Sequence, residues 1–322
     1  MHTVESLQAI ISEELTEINY PNKPEFLYEP IAYILSLGGK RMRPVLTLMG
    51  CDLFGGEINE CINAAIGIEV FHNFSLVHDD IMDKAPKRRG KPTVHEKWNA
   101  NVGILSGDAM MVQAYQQMCK SPKGSLPEIL DIFSKTALEV CEGQQYDMDF
   151  EVREDVSIPE YIKMIRLKTA VLIGGSLKIG ATIAGASEND LKNIYDFGVN
   201  IGIAFQLQDD ILDAYGDQDK FGKQQGGDII SNKKTYLLIK ALEKLGADEI
   251  RLLSLLNAGL KDDEKVERVI ALFDELEIRS DAINEMGKYH EKALVNISSI
   301  NLDSERKKPL LRLVDELMVR DH

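Results

Sequence analysis

Apolar residues return at steps of three and four along most of this chain. Ile66, Val70, Phe74, Val77 and Ile81 make one such row, and Ile194, Phe197, Ile201, Phe205 and Leu212 make another. That is the spacing at which side chains stack on one face of an α-helix. All prolines but Pro309 lie at or before Pro159, so residues 160 to 308 hold none. The same stretch lacks alternating β-branched runs, and proline is what a helix interior excludes. The pattern predicts an all-α chain forming a single domain over residues 1–322, with no internal repeat, low-complexity tract or interdomain linker.

Both apolar rows run into the same acidic signal. HDDIMD spans His78 to Asp83, and QDDILD spans Gln208 to Asp213. Each is followed by an irregular segment that carries helix breakers together with Lys or Arg, KAPKRRGKPT (84 to 93) and GDQDKFGKQQGGD (216 to 228). At 100° per residue Asp79 and Asp83 share a helical face, as do Asp209 and Asp213. Like charges at that spacing cost a helix about 0.2–0.5 kcal/mol per pair. A bound cation offsets that cost, and hard carboxylates without paired Cys or His suit Mg²⁺, or Mn²⁺, with phosphate and water completing the shell. The plainer alternative is a solvated helix end, but two copies, each with a Gly-containing loop that carries Lys or Arg behind it, favour the metal.

Two other metal readings fail. Glu69-Val-Phe-His72 is an ExxH without the second copy that a di-iron bundle requires. The stretch from Asp217 has Phe221 and Asp228 where a calcium loop needs Asp or Asn and then Glu.

Composition narrows the partners. The chain has 322 residues, 44% hydrophobic and 28% charged, with 37 basic against 52 acidic residues and a net charge of −15. Such a surface argues against general nucleic-acid binding, so an anionic ligand has to be held locally. Cys51, Cys61, Cys119 and Cys141 form no C-x-x-C pair, which fits a reducing cytoplasm. No signal peptide and no membrane span are expected. One local anion site is suggested by GGKRMRP (38 to 44), which sets Lys40, Arg41 and Arg43 after a glycine pair at the start of a helix.

GGKRMRP, HDDIMDKAPKRRG, Lys168-Thr169 and FQLQDDILD followed by FGKQQGGDIISNKK together resemble the trans-isoprenyl diphosphate synthase (polyprenyl synthetase) family, in order from about residue 38 to 234. The resemblance implies an all-α isoprenoid synthase fold around a deep central cavity, usually a homodimer, that joins isopentenyl diphosphate to an allylic diphosphate with Mg²⁺. It implies Asp79, Asp83 and Asp209 as metal ligands, with Asp80, Asp210 and Asp213 further out. Lys40, Arg43, His72 and Arg89 match the isopentenyl diphosphate side. Arg88, Lys168, Thr169, Gln206, Lys223 and Lys233 match the allylic side, where Arg88, Lys168 and Lys223 would also assist departure of the diphosphate.

Taken alone, several of these positions have plainer readings. His72 is otherwise a core histidine, although on the wheel it lies within about 20° of Asp79. Lys168 is otherwise a solvated helix residue, and Gln206 an ordinary polar position on an apolar helix. The resemblance also makes Phe74, with the small Ser75 beside it, the residues that set product length. That pattern points to a C20 product (geranylgeranyl diphosphate) or a C15 one (farnesyl diphosphate). A longer-chain synthase, a class I terpene cyclase and a non-catalytic partner subunit are the alternatives, but a cyclase has no need of GGKRMRP, and a silent subunit is expected to have lost one acidic motif.

Overall fold

The apolar rows become helices. The structure, a computed structural model, describes residues 2–216 and 225–318. In chain order these form α1 (Val4–Thr16), α2 (Glu25–Ser36), α3 (Met42–Leu53), α4 (Ile58–Met82), α5 (Val94–Lys97), α6 (Ala100–Met118), α7 (Leu126–Val152) and α8 (Ile158–Ile165). A π-helical turn over Arg166–Ala170 leads into α9 (Val171–Ile183) and α10 (Glu188–Tyr215). After these come α11 (Gly227–Ile230), α12 (Tyr236–Leu245), α13 (Ile250–Asn257), α14 (Asp262–Glu275), α15 (Ile278–Ser299) and α16 (Ser304–Met318). The all-α expectation holds, and the strands among the described residues are two dipeptides, Lys87–Arg88 and Lys91–Pro92. No helix among them is long and apolar enough to cross a membrane.

The chain divides into two compact units. The first takes Met1–Leu138, Leu172–Tyr195 and Ser299–Leu310. Its centre is α4, which packs along α6 and α3. Helix α3 is buried without a break from Pro44 to Cys51, as a helix apolar all round must be. It can cross α9 closely because both helices carry glycine at the crossing. A Cβ on Gly50 would run into the Leu177 carbonyl, and one on Gly180 into that of Thr47. This packing fixes the N-terminus of α3, and with it GGKRMRP, against the middle of α4.

The second unit takes Glu139–Val171, Asp196–Ser298 and Leu311–His322. Its core includes Tyr161, Phe197 and Phe273, none more than 2% exposed. Helix α12 packs on α8, while α11 and α13 pack on α14. The Thr235 hydroxyl accepts from the Leu238 N–H to start α12, satisfying one of the amides a helix start leaves open.

Candidate active site

The first acidic motif closes α4. Asp83 caps the helix, its N–H donating to the Asp79 carbonyl at 2.8 Å, and Asp79 and Asp83 lie on the outer, more accessible side. Asp80, one step of 100° away, is 1% exposed. Its carboxylate accepts from Arg88 Nε at 2.9 Å and Arg88 Nη2 at 2.7 Å, a forked pair. The middle aspartate is thus occupied in holding an arginine, while the outer two share a face.

Arg88 belongs to a small hairpin that the sequence suggested only as an irregular segment. Lys87–Arg88 pair antiparallel with Lys91–Pro92. The two turn residues, Arg89 and Gly90, have φ of 51° and 74°. Positive φ at both central positions is what a tight type I′ hairpin turn demands. Gly90 adopts it freely, whereas Arg89 pays about 1–2 kcal/mol in backbone strain. Arg89 Nη1 donates to the Gly38 carbonyl, and a Cβ on Gly39 would sit 2.7 Å from the Arg89 guanidinium carbon. Gly39 is therefore what lets this arginine lie on the GGKRMRP turn.

Arginines crowd around His72. Arg43 Nη1 lies 3.1 Å from His72 Nε2. Burial, followed by the charges of Arg43, Arg89, Arg88 and Arg41, holds the imidazole well below its usual pKa. The ring is neutral at pH 7 and accepts from Arg43 through Nε2. Arg89 is itself pushed down by burial and by Arg41, and less by Arg88. Arg88 and Arg41 are paired with Asp80 and Glu69, while Arg43 and Arg89 bring further positive charge beside His72 in a chain of net charge −15. Lys40, three residues before Arg43, is exposed, and its carbonyl is tied to α1 by Gln8 Nε2 at 2.9 Å.

The second acidic motif divides its labour in the same way. Asp209 and Asp213 are half-buried on one face of α10, while Asp210 is 4% exposed. Asp210 accepts from the Tyr161 hydroxyl and, at 3.2 Å, from the Tyr236 N–H. Burial raises its pKa to about 7, against the pull of those two hydrogen bonds and Lys233. Asp213 Oδ2 accepts from the Asp228 N–H at 3.0 Å, anchoring the start of α11. Lys265 Nζ donates to Asn232 Oδ1 at 2.6 Å at the other end, next to the exposed Lys233. Lys223 lies outside the described residues.

Lys168 and Thr169 fall in the π-helical turn, a local widening that often marks a functional position. Helix α7 approaches this turn closely at Gly143, where a Cβ would run into the Lys168 backbone. Lys168 Nζ pairs with Asp147 at 2.5 Å, and Thr169 Oγ1 lies 3.3 Å from Gln206 Oε1. Thr169 and Gln206, which sequence spacing alone did not connect, are therefore in contact.

Residues 24–273 match the polyprenyl synthetase family. The chain belongs to the polyprenyl synthetase family. It is 38% identical to a geranylgeranyl pyrophosphate synthase of Geoglobus acetivorans over 97% of each chain. It is also 39% identical to a geranylgeranyl diphosphate synthase of Sulfolobus acidocaldarius, covering 91% of this chain and 90% of that one. A crystal structure of a geranylgeranyl pyrophosphate synthase superposes with a TM-score of 0.94 at 47% identity over 99% of each chain. The fold is the all-α isoprenoid synthase fold.

In this polyprenyl synthetase Phe74 packs against Phe71 and His78, with ring centroids 5.6 and 4.7 Å away. Phe71 in turn meets Phe133 edge-on at 5.4 Å. The Ser75 hydroxyl is spent on the His72 carbonyl of its own helix at 2.9 Å. Sequence reasoning did not find Gln8, Asp147, Tyr161 or Lys265. Each reaches the site through tertiary packing, and no local spacing marks it. Glu69 was visible, but only as half of a failed metal motif.

Proposed function

We propose that this polyprenyl synthetase is a trans-prenyltransferase that joins isopentenyl diphosphate head-to-tail to an allylic diphosphate, with geranylgeranyl diphosphate (C20) as its main product. The observation that carries this reading is the placement of Arg43 Nη1 3.1 Å from His72 Nε2, with Arg89 donating to the GGKRMRP turn at Gly38. Crowded cations of this kind suit a polyanion such as a diphosphate. The geranylgeranyl synthases among its relatives support twenty carbons.

The donor set fits Mg²⁺. No group of three or more His, Cys, Asp or Glu among the described residues is arranged to enclose an ion. Mg²⁺ takes only one or two carboxylates beside water and substrate phosphate. Asp79, Asp83 and Asp209 would hold such ions, and when bound the metal neutralises charge on the leaving diphosphate.

The remaining work belongs to the chain's own residues. Arg88, fixed by Asp80, and Lys168, fixed by Asp147, bind the allylic diphosphate, with Thr169, Gln206, Lys223 and Lys233 completing that side. The allylic C–O bond breaks with its electron pair leaving on the diphosphate. The double bond of isopentenyl diphosphate, held by Lys40, Arg43, His72 and Arg89, forms the new C–C bond to the allylic carbon. A proton then leaves for the departed diphosphate and a longer allylic diphosphate results. Apolar helix faces exclude water, which would otherwise capture the cation.

Phe74 limits product length in this reading. A homodimer is also part of the proposal, supported by Ile104, Leu105 and Val112, which are exposed on one face of α6. A reducing cytoplasm suits a chain whose four cysteines are not joined in disulfides.

The test is substrate dependence. With Mg²⁺ and an allylic diphosphate, consumption should require isopentenyl diphosphate. Consumption without it would identify a cyclase and overturn the proposal.

A further inference from the structure

Arg41 stands apart from the other arginines of this site. It is the residue before α3 and has a φ of 50°, a left-handed conformation that strains a side-chain-bearing residue. Gly38 and Gly39, just before it, also have positive φ, so glycine at 41 would relieve the strain. The chain instead places an arginine there and buries it. Arg41 Nη1 lies 2.5 Å from Glu69 Oε1, with the two side chains 9% and 2% exposed, and Nη2 donates to the Leu35 carbonyl.

Glu69 is held in turn. Asn73, one turn further along α4, donates Nδ2 to Glu69 Oε1 at 2.9 Å and to the Glu69 carbonyl at 2.8 Å. The carboxylate is therefore held by Asn73 on its own helix as well as by the arginine. A buried ion pair of this kind contributes little net stability compared with apolar residues of the same size, and its best-attested use is to set a register.

The register here is that of GGKRMRP on α4. Glu69 and His72 are three residues apart and so neighbours on the helix surface. Arg41 docks on the first and Arg43 on the second. A slip of the loop would separate both pairs together.

We propose that Glu69 and Arg41 are positioning residues for the isopentenyl diphosphate site. Neither touches substrate. Their buried pair locks the loop so that Arg43 meets His72, with Lys40 three residues before it. This rests on the function proposed above, and it gives Glu69 a role that is neither metal ligand nor core filler.

The experiment uses the full-length enzyme with KM measured separately for isopentenyl diphosphate and for the allylic partner, alongside the melting temperature. The double variant Arg41→Met with Glu69→Met replaces the pair by apolar side chains and should regain any stability lost by either single change. Its KM for isopentenyl diphosphate should nevertheless rise about tenfold, with the allylic KM within about twofold of wild type. Arg41→Lys, which keeps the charge opposite Glu69, should show the same split with little unfolding, and it decides the matter if the double variant does not fold. Wild-type KM values in the stable variants, or an equal rise for both substrates, would overturn the proposal. Lys40→Ala separates it from the reading beneath it. If Lys40→Ala leaves the isopentenyl KM unchanged, the site assignment itself fails. If it raises that KM while the pair variants do not, the positioning role alone fails.

Discussion

Arg43 Nη1 lies 3.1 Å from His72 Nε2, so the guanidinium donates to an imidazole that must be neutral to accept. Burial and the surrounding arginines keep His72 well below its usual pKa in the folded protein. The unfolded chain, with a histidine pKa of about 6.5, takes up that proton first. As pH falls through about 6.5 toward the depressed folded value, this site should therefore cost up to about 1.4 kcal/mol of stability per pH unit. His72→Gln keeps an acceptor for Arg43 but cannot titrate. Melting curves between pH 7.5 and 5.5 should fall less steeply for the variant, and parallel curves would mean that His72 titrates normally.

Outer and middle aspartates should separate function from stability. Asp79→Ala and Asp209→Ala should lower turnover by at least about 10²-fold with little change in melting temperature. Asp80→Ala strands the Arg88 guanidinium, which is 27% exposed, and should cost about 1–3 kcal/mol of stability. Turnover and melting temperature measured on the same preparations check both halves.

Lys40 and Lys168 should report on different substrates. Lys40→Ala should raise the KM for isopentenyl diphosphate more than that for the allylic diphosphate. Lys168→Ala, which removes the partner of Asp147, should do the reverse. Steady-state kinetics with each substrate varied in turn decides between this and a shared site.

Phe74 should act on length. Its ring is wedged between Phe71 and His78, so Phe74→Ala opens space on the α4 face below the first acidic motif. The main product should gain at least one five-carbon unit when read by mass, and an unchanged product would put the floor elsewhere.

Much of this was legible in the sequence because it depends on local period. The apolar steps around Val70 and Phe197 foretold helices, and Asp79 and Asp83 were placed on one face by helical geometry alone. What local period could not show was the inward turn of the middle aspartates. Asp80 and Asp210 look identical to their neighbours until Arg88 arrives from the hairpin and Tyr161 from α8. The hairpin itself was obscured because its turn is Arg-Gly, with an arginine in the position usually taken by asparagine or aspartate. Arg41 and Glu69 were both in view, but only the folded chain brings a turn residue onto a helix 28 positions later.

The most direct test of the central claim is to incubate the purified protein with Mg²⁺ and isopentenyl diphosphate, adding C5, C10 or C15 allylic diphosphate in turn, and to read product mass. A C20 diphosphate should accumulate from each starter that is accepted. Absence of any elongated product with all three would contradict the account.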